Sequence, residues 1–156
     1  MYKIVISPFS RALRNGKKNP KNYPWWTAVV SQLRNEGIYV IQIGTPGEEA
    51  IGANEVRNNL SLQKLEKLVK TCALCVAVDN FLPHFCANLN KKCIVLFGKS
   101  DPEIFGYSNN INLLKDRKYL RKQQFDIWEN EPYEEECFVE PDSVLNAIQG
   151  VLGGNR

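Results

Sequence analysis

Four short apolar runs punctuate the chain. They are Lys3–Ser7, Ile38–Ile43, Ala73–Val78 and Cys93–Phe97. Each run is rich in β-branched residues and nearly continuous, rather than alternating between apolar and polar positions. Such runs are typical of strands that are buried on both faces, as in a parallel sheet. The pattern therefore predicts four strands of a mostly parallel sheet.

Helical patterns lie between and after these runs. Pro24–Glu36 has proline in its first turn, and Ser61–Thr71 begins with a good N-cap. The apolar face of the second helix is predicted to consist of Leu62, Leu65, Leu68 and Val69. Further helices are predicted over Pro83–Leu89 and over residues 141–152. This alternation implies βαβ units, so we predict a single Rossmann-like, three-layer α/β/α domain over residues 1–156.

Two segments interrupt the alternation. Residues 8–23 form a long basic loop, and residues 115–137 form a charged excursion that is basic in its first half and acidic in its second. Loops of this length in compact domains are usually functional or disordered. We therefore expect the basic loop to contribute to a binding site.

Length and charge exclude some classes of protein. The 156 residues suit one domain, and the net charge of +3 permits anionic ligands without arguing for DNA binding. No apolar run reaches the roughly 18 residues of a membrane span. We therefore expect a cytoplasmic protein with no membrane span, and we do not expect nucleic acid as a partner.

The five cysteines predict buried, free thiols rather than a metal site. Four of them lie in apolar stretches, and the number is odd. The Cys72-x-x-Cys75 pair lacks a second pair at the spacing that a structural zinc requires. We therefore predict no metal and no cofactor.

Polar or glycine- and proline-rich residues follow all four predicted strands, where ligands of open parallel sheets bind. Residues 79–84 are the most informative, because an acid ends a buried strand and a helix follows. Backbone N–H groups at such a helix start favour phosphate. The alternative is that Asp79 is a plain N-cap and that His84, the one histidine of the sequence, only makes hydrogen bonds within the fold.

Motifs for other chemistries are absent from the sequence. The loop after Gly44 has neither the G-x-G-x-x-G spacing nor the P-loop pattern. Cys86 and His84 are two residues apart on a helix and do not face each other, so they do not form a nucleophile–base pair. Trp25 and Trp26 follow a proline at a helix start, which favours core packing over base stacking.

The order of four motifs resembles the C-terminal, donor-binding domain of the heptosyltransferase-like bacterial glycosyltransferases of family nine, which have the GT-B fold. The motifs are Lys21-Asn22-Tyr23-Pro24-Trp25, Asn59-Leu60-Ser61-Leu62, Asp79-Asn80-Phe81-Leu82-Pro83-His84, and Leu96-Phe97-Gly98-Lys99-Ser100-Asp101-Pro102. The resemblance runs from the first strand to the last helix. It implies a fold like one half of a GT-B glycosyltransferase.

The resemblance also implies residue roles toward a nucleoside-diphosphate sugar. Lys21, Asp79, Asn80, Phe81 and His84 would surround the donor diphosphate. Gly44, Thr45, Glu48, Glu49 and Leu60 would surround the nucleoside, with a glutamate accepting bonds from the ribose and Leu60 near the base. These roles agree with physical chemistry, because a diphosphate favours a cation and free amides, whereas ribose hydroxyls suit a carboxylate.

Three departures count against a simple transfer of these roles. Tyr23 stands where the family has tryptophan in its Lys-x-Trp-Pro motif, a mild change. Phe81 stands where the family has a small glycine, and the family's acceptor-binding domain, which supplies the catalytic base, has no counterpart in this sequence. We therefore predict a glycosyltransferase or glycosyltransferase subunit that acts without metal, with a homo-oligomer or partner chain supplying the acceptor site. The alternative is a non-catalytic protein that binds or sequesters a nucleotide or sugar nucleotide.

Overall fold

A six-stranded parallel sheet forms the centre of the molecule in the computed structural model, which describes residues 1–154. The strands are β1 (Lys3–Ser7), β2 (Tyr39–Gly44), β3 (Glu55–Asn58), β4 (Leu74–Val78), β5 (Cys93–Phe97) and β6 (Ile111–Leu114). Their spatial order is β3-β2-β1-β4-β5-β6, and every neighbouring pair is parallel. The four predicted strands are confirmed. The edge strands β3 and β6 are additional.

Helices cover both faces of the sheet. They are α1 (Trp26–Asn35), α2 (Leu62–Thr71), α3 (Phe81–Asn88), α4 (Pro102–Phe105) and α5 (Pro141–Gly154). Because side chains alternate along a strand, Ile4 and Ile6 pack with α1 and α5, whereas Val5 packs with α2 and α3. The predicted three-layer α/β/α architecture is confirmed.

The two central helices begin close to the predicted positions. Ser61 caps α2, since its Oγ accepts a hydrogen bond from the Lys64 backbone N–H at 3.2 Å. The prediction that Leu62 lies on the apolar face is wrong, because this residue is 73% exposed at the first helical position. Helix α3 starts at Phe81, two residues before the predicted start at Pro83. Proline fits there because the first turn needs no intrahelical donor.

Other sequence-based expectations concern the irregular segments and the thiols. Residues 8–23 contain no helix or strand, and residues 115–137 contain only short 3₁₀ turns. All five cysteines are free and buried, as predicted.

Trp26 is a core residue whose Nε1 donates to the Pro8 carbonyl at 3.0 Å. Within residues 1–154, no helix combines the length and apolar character of a membrane span.

The strand order sets the position of the candidate site. Strand β1 lies between β2 and β4, so the chain leaves β1 toward one side of the sheet and returns to build the other half through β4. Connections diverge at such a switch point and leave a crevice beyond the carboxyl ends of the two strands. The basic loop 8–23 follows β1, and the segment at Asp79 follows β4. The fold therefore brings both segments to one crevice.

Candidate functional site

The turn after β4 is fixed by the side chain of Asn80. Its Nδ2 donates to the Ser7 carbonyl, to Ser7 Oγ and to the Phe9 carbonyl at 3.0–3.2 Å, which ties the exits of β1 and β4 together. Its Oδ1 accepts from the Leu82 backbone N–H at 3.0 Å and so caps α3. The alternative interpretation of Asp79 as a plain N-cap is therefore wrong, since the neighbouring asparagine has that role.

Few donors remain free at the start of α3. The Leu82 N–H is used by the cap, and Pro83 has no N–H. The backbone N–H groups of Asn80 and Phe81 donate to no acceptor among the residues that the structure describes. Asn80 and Phe81 are two of the residues that the resemblance to the family implies for the diphosphate. Their backbone N–H groups are available to an anion at the positive end of α3.

The basic loop brings the ammonium group of Lys21 to this turn. Asn19 holds the loop, since its Oδ1 accepts from the Lys21 backbone N–H at 2.9 Å. Lys21 Nζ lies 3.4 Å from Asp79 Oδ2 and 5.0 Å from the centre of the Trp128 ring. Ser10 in the same loop donates its Oγ proton to the Asp79 carbonyl at 2.8 Å. Side-chain contacts thus join the loop and the turn.

A cavity of about 390 Å³ opens between these elements. Five of its lining residues are those predicted for the donor phosphates: Lys21, Asp79, Asn80, Phe81 and His84. The Phe81 side chain is 49% exposed beside the opening and does not fill it. The structure therefore brings the predicted phosphate group of residues to one concave surface.

The remaining wall comes from residues that the sequence did not single out. Arg121, Gln124, Phe125, Asp126 and Trp128 line the cavity from the charged excursion. Arg121 is 7% exposed, and its guanidinium carbon lies 3.4 Å from the centre of the Trp128 ring. Burial lowers the pKa of the Arg121 guanidinium, which remains a cation. An isolated tryptophan in a charged segment was the available sequence signal for this wall.

The arginine organises this wall rather than facing solvent. Its Nη atoms donate to the carbonyls of Gln124, Asp126 and Ile127 at 2.6–3.3 Å. Gln124 in turn accepts from the Asp101 N–H at 2.9 Å and donates to the Lys99 carbonyl at 2.8 Å. These bonds dock the excursion on the exit of β5.

A buried lysine fastens the next part of the excursion. Lys99 is 3% exposed, and its Nζ lies 3.0 Å from Glu131 Oε1, 3.1 Å from Glu134 Oε1 and 3.0 Å from the Pro132 carbonyl. Burial alone would lower the pKa of Lys99. The hydrogen bonds to the two glutamates outweigh it and hold the pKa above its ordinary value. The ammonium group therefore stays charged within the fold.

Two further titratable groups line the cavity. His84 Nδ1 lies 2.7 Å from the Tyr107 hydroxyl, and the imidazole is exposed. Asp126 accepts hydrogen bonds from Asn130 and from the Ile127 N–H, which hold the pKa of its carboxyl below the ordinary value. A carboxylate with a lowered pKa is a weak general base.

The residues predicted for the nucleoside lie outside this cavity. Glu48 Oε1 accepts from the Thr45 N–H at 2.6 Å and lies where a side chain on Gly44 would stand. The Glu49 carbonyl accepts from Gln42 at 2.8 Å. Leu60 lines a separate cavity beside α2. The nucleoside role of Gly44, Thr45, Glu48, Glu49 and Leu60 stays a prediction.

The fold is that of one half of a GT-B glycosyltransferase, and comparison with known proteins identifies the family. The glycosyltransferase family 9 (heptosyltransferase) profile matches residues 3–133. The chain therefore belongs to glycosyltransferase family 9. Its sequence is 26% identical over 118 residues to lipopolysaccharide heptosyltransferase 1 of Salmonella typhimurium, a match that covers 68% of this chain and 37% of that protein.

Solved structures share the fold. E. coli heptosyltransferase WaaC with ADP is 21% identical with a TM-score of 0.66, covering 96% of this chain and 44% of that one. TibC of enterotoxigenic E. coli, an iron-containing dodecameric glycosyltransferase, is 14% identical with a TM-score of 0.74. The match covers 99% of this chain and 45% of the TibC chain. The chain thus spans less than half the length of these relatives.

Iron is a property of TibC that this chain's side chains do not reproduce. Within residues 1–154, histidine, cysteine, aspartate and glutamate side chains form no group of three or more that is arranged to hold a metal ion. The residues present thus do not fit such a centre.

Proposed function

We propose that this domain binds a nucleoside-diphosphate sugar as the donor half of a glycosyltransferase, with the diphosphate in the cavity between loop 8–23 and α3. The observation that carries the proposal is that Lys21 and the free amides of Asn80 and Phe81 border the same cavity. A cation and oriented N–H groups stabilise the charge that develops on a departing nucleoside diphosphate, and they do so without a metal. ADP bound to a related fold supports ADP as the first probe.

The acceptor and the general base would come from outside residues 1–154. Both carboxylates of the cavity already have partners within the chain, since Asp79 forms an ion pair with Lys21 and Asp126 accepts a hydrogen bond from Asn130. Neither is suited to remove a proton from a sugar hydroxyl. A further domain, a partner chain or a second copy would supply the base. The dodecameric assembly of TibC makes self-association the first arrangement to examine.

The same observation favours a second function, that of a non-catalytic binder of the nucleotide or sugar nucleotide. Such a protein uses the cation and the amides and requires no base. The two functions differ in turnover, not in binding. Release of nucleoside diphosphate from ADP-heptose, measured with and without candidate partner chains, separates them.

Calorimetric titration with ADP tests the binding step common to both. We expect Lys21→Ala to weaken binding by about tenfold or more, because a charge-assisted contact to phosphate is lost. Lys17→Ala is the matched control, since Lys17 is exposed in the same loop and lies outside the cavity. Binding that is equal in EDTA and in magnesium is expected for a metal-independent site. Equal affinity of Lys21→Ala and the unmodified protein would overturn the proposal.

A further inference from the structure

A second cavity, of about 270 Å³, lies against α2 and shares no lining residue with the first. Its floor is apolar and includes Ile41, Leu60 and Leu68. Its rim carries four cations, Lys3, Arg57, Lys64 and Lys67, and we call this cavity the basic groove.

The topology explains why the groove is open. The connection from β2 to β3 contains no helix, and it packs Ile51 into the core on the α1 side of the sheet. On the opposite face, α2 packs on β1 and β2 through Leu65 and Val69. The edge strand β3 has half-exposed side chains. The groove therefore follows from the packing of α2 beside the edge strand β3.

The cations of the groove are only partly neutralised. Within the residues that the structure describes, Lys3, Lys64 and Lys67 form no ion pair, and no acidic side chain lines the groove. Arg57 is paired with Glu55, and the charge of Lys3 also acts on the Glu55 carboxylate. The uncompensated charge of the groove therefore lies mainly on Lys64 and Lys67. Several cations around a cavity with a low-dielectric wall create a positive potential that favours the binding of an anion.

We propose that the basic groove is a second binding site, for phosphate groups of a ligand whose apolar or sugar part lies on Leu60 and Leu68. Lysine ammonium groups are compact charges that suit phosphate oxygens from several directions. The four cations are spread over β1, β3 and α2, which suits more than one phosphate group. A soluble phosphorylated metabolite and a phospholipid headgroup share this chemistry.

The test uses Lys21→Ala as the background, so that the first cavity contributes less to the binding of phosphate. Inorganic pyrophosphate is titrated by calorimetry, and co-sedimentation is measured with phosphatidylcholine vesicles with and without phosphatidylglycerol. The variant is Lys64→Gln/Lys67→Gln, on an exposed helix face where glutamine is well tolerated. The control is Lys17→Gln/Lys92→Gln, which removes the same charge at exposed positions that line neither cavity.

We expect the groove variant to weaken binding of one probe by about tenfold or more and the control to change it by less than about twofold. Loss of pyrophosphate binding indicates a soluble ligand, and loss of vesicle binding alone indicates a headgroup. Equal weakening in both variants, or no binding of either probe, would overturn the proposal. The cations would then serve only to keep the edge strand solvated.

Leu60 is also predicted to lie near the donor base, so the two sites must be separated experimentally. ADP binding in the chain with intact Lys21 provides this separation. We expect Lys64→Gln/Lys67→Gln to leave the ADP affinity within about twofold. A loss of ADP binding as large as that of Lys21→Ala would make the groove part of the donor site and overturn the second site.

Discussion

Lys21 Nζ lies 3.4 Å from Asp79 Oδ2, so the cation from the basic loop is paired with the carboxylate that follows β4. Side-chain exposures are 21% for the lysine and 11% for the aspartate. An entering phosphate would therefore compete with a carboxylate for the same ammonium group.

This competition makes Asp79→Asn informative. Asparagine keeps the size of the side chain and leaves the carbonyl that accepts from Ser10 Oγ unchanged. We expect ADP binding to tighten by up to about fivefold, because a partly exposed ion pair is worth at most about 1 kcal/mol. The gain should shrink as salt rises, since screening weakens both interactions. Weaker binding would indicate that the carboxylate positions Lys21 for the ligand.

We expect the side chain of Asn80 to contribute mainly to the stability of the fold, because it carries no charge that could attract a phosphate. Asn80→Ala removes the cap of α3 and the donor that joins the exits of β1 and β4. We expect the free energy of unfolding in urea to fall by about 2 kcal/mol. Asn88→Ala is the control, because Asn88 is an exposed residue at the other end of the same helix. Its effect should stay within about 0.5 kcal/mol. Equal losses in both variants would contradict the assigned role.

The sequence predicted the centre of the sheet better than its edges. β4 and β5 are buried at every position and so appear as continuous apolar runs. In β3 and β6 every side chain is half-buried or exposed, because each strand has one neighbour, and the strand Glu55–Asn58 has two charged residues among four. Local patterns therefore did not reveal them.

The sequence likewise predicted one part of the candidate site and not the other. The meeting of loop 8–23 with the turn at Asp79 follows from a general rule about the carboxyl ends of parallel strands. The choice of Lys21 within that loop came from the resemblance to the family. The wall containing Arg121 and Trp128 follows from no local pattern. Its path is fixed by long-range contacts, such as the bond from Lys99 to Glu131, which are 32 positions apart.

That contact yields a prediction about the wall. Lys99→Met keeps the length of the side chain and removes both ion pairs. We expect a loss of about 2 kcal/mol, less than for a fully buried pair because the two glutamates reach water. Trypsin should then cleave faster after Arg121 or Lys122, and ADP affinity should fall although Lys99 lies outside the cavity. Lys92→Met should leave the cleavage rate unchanged. An unchanged rate in Lys99→Met would show that other contacts hold the excursion.

The pair of Asp101 and Arg117 predicts how stability depends on pH. Arg117 Nη1 and Nη2 lie 3.0 and 2.8 Å from the two carboxylate oxygens of Asp101. The hydrogen bonds from Arg117 hold the pKa of Asp101 below its ordinary value. Because the folded pKa is the lower one, the stabilisation is complete above the unfolded value of about 3.9. It is lost as the pH falls through the folded pKa.

Comparison with Arg117→Gln isolates this effect. We expect the unmodified protein to have a larger free energy of unfolding than the variant near neutral pH, since Arg117 binds both carboxylate oxygens of Asp101. The difference should be small, because the Arg117 side chain is 52% exposed and water screens the ion pair. The difference should disappear once Asp101 is protonated in the folded state. Urea unfolding over a pH series measures it, and Lys118→Gln, next to Arg117 and exposed, should show no such trend. A difference that persists in acid would mean that Arg117 stabilises the fold by packing rather than by its charge.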